Sequence, residues 1–263
     1  MKLFFTLTIF LASLHAGAQS FPKLVWSDEF NSPGAPDPQK WSYDLGDGCP
    51  DVCGWGNNEL QYYTSDIKNA RVENGSLIIE AHAEAKGGKG YTSARLVSKT
   101  KGDWLYGRIE VRARLPEGLG TWPAIWMLST DWKYGGWPAS GEIDIMEHVG
   151  LDPTVVHGTI HTETYNHGKR TQKEGMITVA TAMTAMHIYA INWTKDKIEF
   201  FVDDKMYHAV TRDPKEDYKG WPFDQKFHLI LNLAVGGNWG GMKGVDPNIW
   251  PKRMEVDYVR VYQ

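Results

Sequence analysis

The run Gly107-Arg-Ile-Glu-Val-Arg-Ala-Arg-Leu115 alternates apolar and charged residues at nearly every step. A period of two places Ile109, Val111 and Ala113 on one side of a strand and Arg108, Glu110, Arg112 and Arg114 on the other. One face is buried and the other is wet. Lys197–Asp204 alternates in the same way and then turns at Asp203-Asp204. Leu77–Ala81, Met186–Trp193, His228–Val235 and Val256–Tyr262 read as further strands, because β-branched and aromatic residues dominate them. Turn signals at Glu73-Asn74-Gly75, Gly87–Gly90 and Pro116-Glu117-Gly118 separate the runs. No stretch predicts a capped helix of four turns. Many short strands predict an all-β fold, a sandwich of two antiparallel sheets. Alternation also lets one sheet present a polar, concave outer face where a ligand can lie.

Composition narrows the function. The chain has 263 residues, 23% charged and 42% hydrophobic, which excludes disorder, collagen and coiled coil. Its formal net charge of −4 gives no basic excess to neutralise phosphates, so nucleic acid is not an expected partner. Twelve Trp and 12 Tyr stand against 9 Phe. Flat rings with a polar handle suit sugars; a β core built with tryptophan is the other reading. Lys2, the apolar run Leu3–Leu14 and Ala16-Gly17-Ala18 read as a cleavable secretory signal peptide over residues 1–18, too short to span a bilayer. The expectation is a secreted or periplasmic protein without a membrane segment. No repeat or linker divides residues 19–263, which read as a single domain, expected to be a monomer. In an exported chain, Cys49 and Cys53 are expected to form a local disulfide that stiffens a loop.

The strongest chemical signal is Gly141-Glu-Ile-Asp-Ile-Met-Glu-His148. Glu142 and Asp144 share a strand face, and Ile143 and Ile145 point into the core. A regular strand would bury Glu147 and expose Met146, and an unpaired buried carboxylate is costly. One β-bulge near Ile145-Met146 returns Glu147 to the acid face. Three neighbouring carboxylates push one another's proton affinities apart. One can then hold a proton while another stays ionised, the division of labour that glycoside hydrolysis needs. A solvated acidic edge is the structural alternative.

The run Glu142–Glu147 resembles the ExDxxE signature of glycoside hydrolase family 16. The similarity extends over the chain from Val25–Phe30 to Val256–Tyr262, through Gly54–Thr64, Tyr91–Arg95, Trp122–Met127, Trp137–Gly141 and His157–His161. These runs resemble bacterial laminarinases, endo-1,3-β-glucanases. The resemblance implies a β-jelly-roll sandwich with an open substrate cleft and a retaining mechanism. In it Glu142 is the nucleophile, Glu147 the general acid/base and Asp144 the helper that tunes the nucleophile. The residues alone give the trio but not which glutamate plays which part.

Trp122 and Trp126 are four apart, hence on one strand face, and Trp137 precedes the carboxylate strand. By resemblance these three line the cleft, with Asn57, Arg95 and His161 as polar contacts and Trp239 as a further sugar contact. His157 and His161 are also four apart, but a strand separates their rings by about 13 Å, which excludes a zinc pair. No cofactor is expected for catalysis. The resemblance also implies a structural calcium at Glu29, Gly75 and Asp257. The function expected is secreted hydrolysis of 1,3-β-glucan. The alternatives are relatives acting on mixed-linkage β-glucan or on a galactan, as agarases and carrageenases do, and a non-catalytic β-glucan-binding protein.

Overall fold

The alternating runs become strands, and a computed structural model describes them over residues 21–263. The expected signal peptide at 1–18 lies outside the described residues. In chain order the strands are β1 (Leu24–Asp28), β2 (Ser42–Tyr43), β3 (Gln61–Tyr63), β4 (Ala70–Glu73), β5 (Ser76–Ala81), β6 (Tyr91–Ser93), β7 (Arg95–Val97), β8 (Asp103–Trp104) and β9 (Gly107–Arg114). They continue with β10 (Thr121–Ser129), β11 (Glu142–Glu147), β12 (Val155–His161), β13 (Lys173–Thr178), β14 (His187–Trp193), β15 (Lys197–Val202), β16 (Lys205–Thr211), β17 (Phe227–Val235) and β18 (Lys252–Tyr262). A single helical turn, α1 (Gly237–Gly240), follows β17. No helix among the described residues is long and apolar enough to cross a membrane.

Two large antiparallel sheets result. One has the order β16-β15-β14-β9-β18-β5-β4, with β1 also on β18. The other has the order β13-β12-β11-β10-β17-β7-β2, with β8 also on β17. This is the expected jelly-roll sandwich. In β9 burial alternates residue by residue, as its sequence requires. Ile109, Val111, Val259 and Val261 face Ile125, Met127, Ile143, Leu229 and Leu231 in one shared core. Burying each such aliphatic side chain contributes about 1.5–3 kcal/mol.

The centre of the second sheet departs from simple alternation. Every residue of β17 is buried. Phe227, Leu229, Leu231, Leu233 and Val235 pack into the sandwich core, whereas His228, Ile230, Asn232 and Ala234 face the other way. That outer face is roofed by side chains from neighbouring strands and loops, which is why even its polar residues are shielded from water. The last strand is also longer than Val256–Tyr262 predicts; it begins at Lys252 and pairs with β5 along its first half.

Candidate active site

The acids are aligned by a defect in strand pairing. Across β10, Trp126 faces Asp144 but Ile125 faces Met146, so Ile145 is the extra residue of a bulge. The pairing of β11 with β12 slips between the same points, Asp144 and Glu147. Ile143, Ile145 and Met146 are all buried in the core. The bulge thus satisfies three apolar side chains on the inner side. Glu142, Asp144 and Glu147 keep the outer side. Gly141 makes the start of this strand possible. Its φ is +81°, and a Cβ there would lie 2.8 Å from Pro222 Cγ, so a larger residue would displace Glu142.

Each glutamate is held by an indole. Trp137 Nε1 donates to Glu142 Oε2 at 2.8 Å. Trp122 Nε1 donates to Glu147 Oε1 at 3.1 Å. Asp144, only 2% exposed, lies between them. His161, directly opposite Glu142 on β12, brings Nε2 to 3.4 Å from Asp144 Oδ2 and 3.8 Å from Glu142 Oε1.

Burial and mutual repulsion raise the proton affinity of the trio. Loss of water pushes the Glu142 carboxyl up to about 8, with the Asp144 charge adding to it. Burial and the Glu147 charge push Asp144 well above the usual carboxylate range, while its hydrogen bond with Glu142 acts the other way. Glu147 is also raised by burial; His161, the Trp122 N–H and His157 oppose that rise. The site therefore retains protons at neutral pH that isolated carboxyls would lose.

The remaining expected residues gather around this strand on the outer face of its sheet. Trp122 and Trp126 are half-buried on β10. Trp137 is 41% exposed and its ring lies 5.0 Å from that of His167. Trp239, carried on α1, meets Trp122 edge-on at 5.6 Å and His157 at 4.8 Å. Arg95 is not a surface arginine: it is 8% exposed and lies between the rings of Trp55 and Trp126, at 4.4 and 4.8 Å. Asn57 donates to Glu59 Oε1 at 3.3 Å, and its carbonyl accepts from the Asn238 N–H.

Several polar residues at this face are absent from the sequence reading. Glu59 is buried and accepts from Gln61 at 2.6 Å and from Tyr63 at 3.4 Å. Tyr63 Oη in turn accepts from Asn232, which accepts from Trp126 Nε1 at 2.7 Å. This network ties Asn57 to Trp126 beneath the cleft. The period-two run Glu59-x-Gln61-x-Tyr63 is the signal that points to it. His157 also has a role that spacing does not show: Nδ1 bonds Glu174 Oε1 at 2.6 Å.

Cys49 and Cys53 form a disulfide in the loop that leads to Trp55 and Asn57. The three residues of the expected calcium set converge on one stretch of β18: Asp28, beside Glu29, faces Val259, and Leu77, two residues after Gly75, faces Val256, beside Asp257. Both carboxylates already have cationic partners. Arg260 donates twice to Glu29, at 2.9 and 2.8 Å, and Arg112 bonds Asp257 at 2.5 Å. An ion bound through those carboxylate oxygens competes with two guanidinium groups, whereas one bound through backbone carbonyls of the set and a single carboxylate displaces only one of them.

A jelly-roll sandwich whose outer sheet face carries an acid trio, its two glutamates held by indoles, defines a glycoside hydrolase. The chain belongs to the glycosyl hydrolases family 16, whose model matches residues 55–260. It is 58% identical over 248 residues to a beta-glucanase of Rhodothermus marinus, covering 92% of this chain and 85% of that one. The structure of the laminarinase from Rhodothermus marinus superposes with a TM-score of 0.88 at 57% identity, covering 92% of this chain and 97% of that one. A glucan endo-1,3-beta-glucosidase of Cryptopygus antarcticus is 41% identical over 253 residues, covering 90% of each chain.

Proposed function

We propose that the protein is a secreted, endo-acting hydrolase of 1,3-β-glucan that works by retaining double displacement. The observation that carries this reading is the placement of Glu142 and Glu147 on one face, each fixed by an indole N–H. The names of the relatives support the substrate class. In the first step a Glu142 carboxylate oxygen attacks the anomeric carbon, and the bond to the leaving glycosidic oxygen breaks. Glu147 delivers its proton to that oxygen. A proton lodged on Asp144 and shared with Glu142 leaves the negative charge on the nucleophile, while the Trp137 N–H steadies its other oxygen. In the second step Glu147, now ionised, takes a proton from water; the water oxygen attacks the same carbon and frees Glu142.

Trp122, Trp126, Trp137 and Trp239 supply flat apolar surface to the pyranose C–H faces, and Asn57, Arg95 and His161 supply hydrogen bonds to hydroxyls. Arg95 is oriented by the two rings that flank it, so it presents its donors in a fixed plane.

Product analysis on laminarin, lichenan and agarose tests the reading. Oligosaccharides released from laminarin first, with none from agarose, are expected. Cleavage of agarose alone would replace the glucan assignment with a galactan. Binding of laminarin without cleavage would leave a non-catalytic glucan-binding protein.

A further inference from the structure

We propose that Glu142, Asp144 and His161 together form a binding site for a divalent transition-metal ion of the zinc type, which closes the cleft to substrate. The site is distinct from the histidine pair that strand spacing excludes. It is assembled across two strands by the pairing of β11 with β12.

The geometry carries the proposal. His161 Nε2 lies 3.4 Å from Asp144 Oδ2 and 3.8 Å from Glu142 Oε1, and all three donor atoms lie within 4.8 Å of one another. Ligands at about 2.0–2.2 Å around a tetrahedral zinc ion stand about 3.3–3.6 Å apart. Two of the edges are close to that spacing, and the third, between the Glu142 and Asp144 oxygens, is no longer than 4.8 Å. Among the described residues this is the group of three or more histidine, cysteine or acidic side chains that meets such a distance.

The state of the donor atoms supports it. Asp144 Oδ2 is buried and makes no hydrogen bond, although the residue is 2% exposed. Its imidazole neighbour, His161 Nε2 at 3.4 Å, does not meet it in hydrogen-bonding geometry. His161 Nδ1 also makes no hydrogen bond, so nothing at that nitrogen prevents it from carrying the ring proton while Nε2 turns its lone pair to a metal. His157 differs, since its Nδ1 is committed to Glu174. A dication that displaces the protons these two acids retain at neutral pH meets two carboxylates, whose charge balances its own, and one imidazole nitrogen. One nitrogen with two oxygens suits zinc or copper and disfavours calcium and magnesium, which take oxygen. Glu142 faces the cleft, so the remaining coordination positions are open to water.

Binding does not depend on the proposed function; only its effect on turnover rests on that reading. Titration calorimetry of zinc chloride into the full chain at neutral pH is the test. One zinc ion per chain is expected, with affinity lowered by about tenfold or more in His161→Gln and again in Glu142→Gln. Calcium chloride is expected to give no heat at this site, and a saturating laminari-oligosaccharide to weaken zinc. Circular dichroism establishes that each variant is folded; if His161→Gln fails to fold, Glu142→Gln carries the same comparison. No zinc binding at millimolar concentration, or an affinity unchanged in the folded variants, overturns the site. Glucan hydrolysis that continues with zinc bound overturns the closure of the cleft. Zinc binding by a chain inactive on every β-glucan leaves the site standing and removes the proposed function.

Discussion

Glu142 faces Leu128 across the β10 ladder, and Glu147 faces Ala124. Five residue steps on β11 therefore match four on its neighbour. The Cα atoms of the two glutamates are about 13 Å apart at about 3.3 Å per step. Glutamates leaning toward each other from that separation can bring their carboxyls to about 5–5.5 Å, the spacing of retaining enzymes.

At that spacing no water would fit between sugar and base, and the proposed mechanism then predicts that the first product keeps the β anomeric configuration. Proton NMR of the earliest laminarin product should show the β anomer. An α anomer first would overturn both the carboxyl spacing and the nucleophile assignment.

Glu142→Gln and Glu147→Gln should each lower kcat on laminarin by several orders of magnitude, while melting remains cooperative. Asp144→Asn should impair turnover less, because in the proposed mechanism Asp144 acts through Glu142 and forms no bond to the sugar. Near-wild-type turnover in either glutamine variant would remove the assignment of that residue.

The indole donors can be tested while an aromatic ring is kept at each position. Trp137→Phe and Trp122→Phe delete an N–H that serves a carboxyl. Hydrogen bonds to charged groups contribute about 1.5–3 kcal/mol, which corresponds to a fall of about 10–100-fold in kcat/KM. An unchanged pH profile and kcat in both variants would show that the indoles do not govern the acids.

Stability should depend on pH through the same acids. The folded Glu142 carboxyl is raised from 4.5 to about 8. Between those values the folded chain binds more protons than the unfolded chain, so stability falls as pH rises across the window. Glu142→Gln removes the part of this dependence that Glu142 contributes. Its melting temperature relative to wild type should be higher at pH 8 than at pH 4. In a chain of this size each kcal/mol is worth about 2–4 °C. A difference independent of pH would contradict the raised carboxyl.

The calcium expectation has its own readout. If an ion is held at Glu29, Gly75 and Asp257, it stabilises the folded chain by mass action, and EDTA lowers the melting temperature. With the two carboxylates held by Arg260 and Arg112, we expect little change. A drop of several degrees, restored by calcium, would show that the ion displaces the arginines.

The sequence alone determined the features that depend on local period. Alternation in Gly107–Leu115 set an all-β sandwich, because a strand with one apolar face must bury it. The apolar Ile143, Ile145 and Met146 between three acids required a bulge, because no regular strand buries all three and frees Glu147. That Glu142, Asp144 and Glu147 share one face was legible for the same reason. Tertiary structure decided what holds those acids. Trp137, Trp122 and His161 reach them from a loop and two other strands, and the contacts depend on register between segments distant in the chain. Register also buried Arg95 between Trp55 and Trp126 and drew Glu59 into a network with Tyr63 and Asn232. Period records which face a side chain takes, but the partner across that face is fixed only when the strands pair.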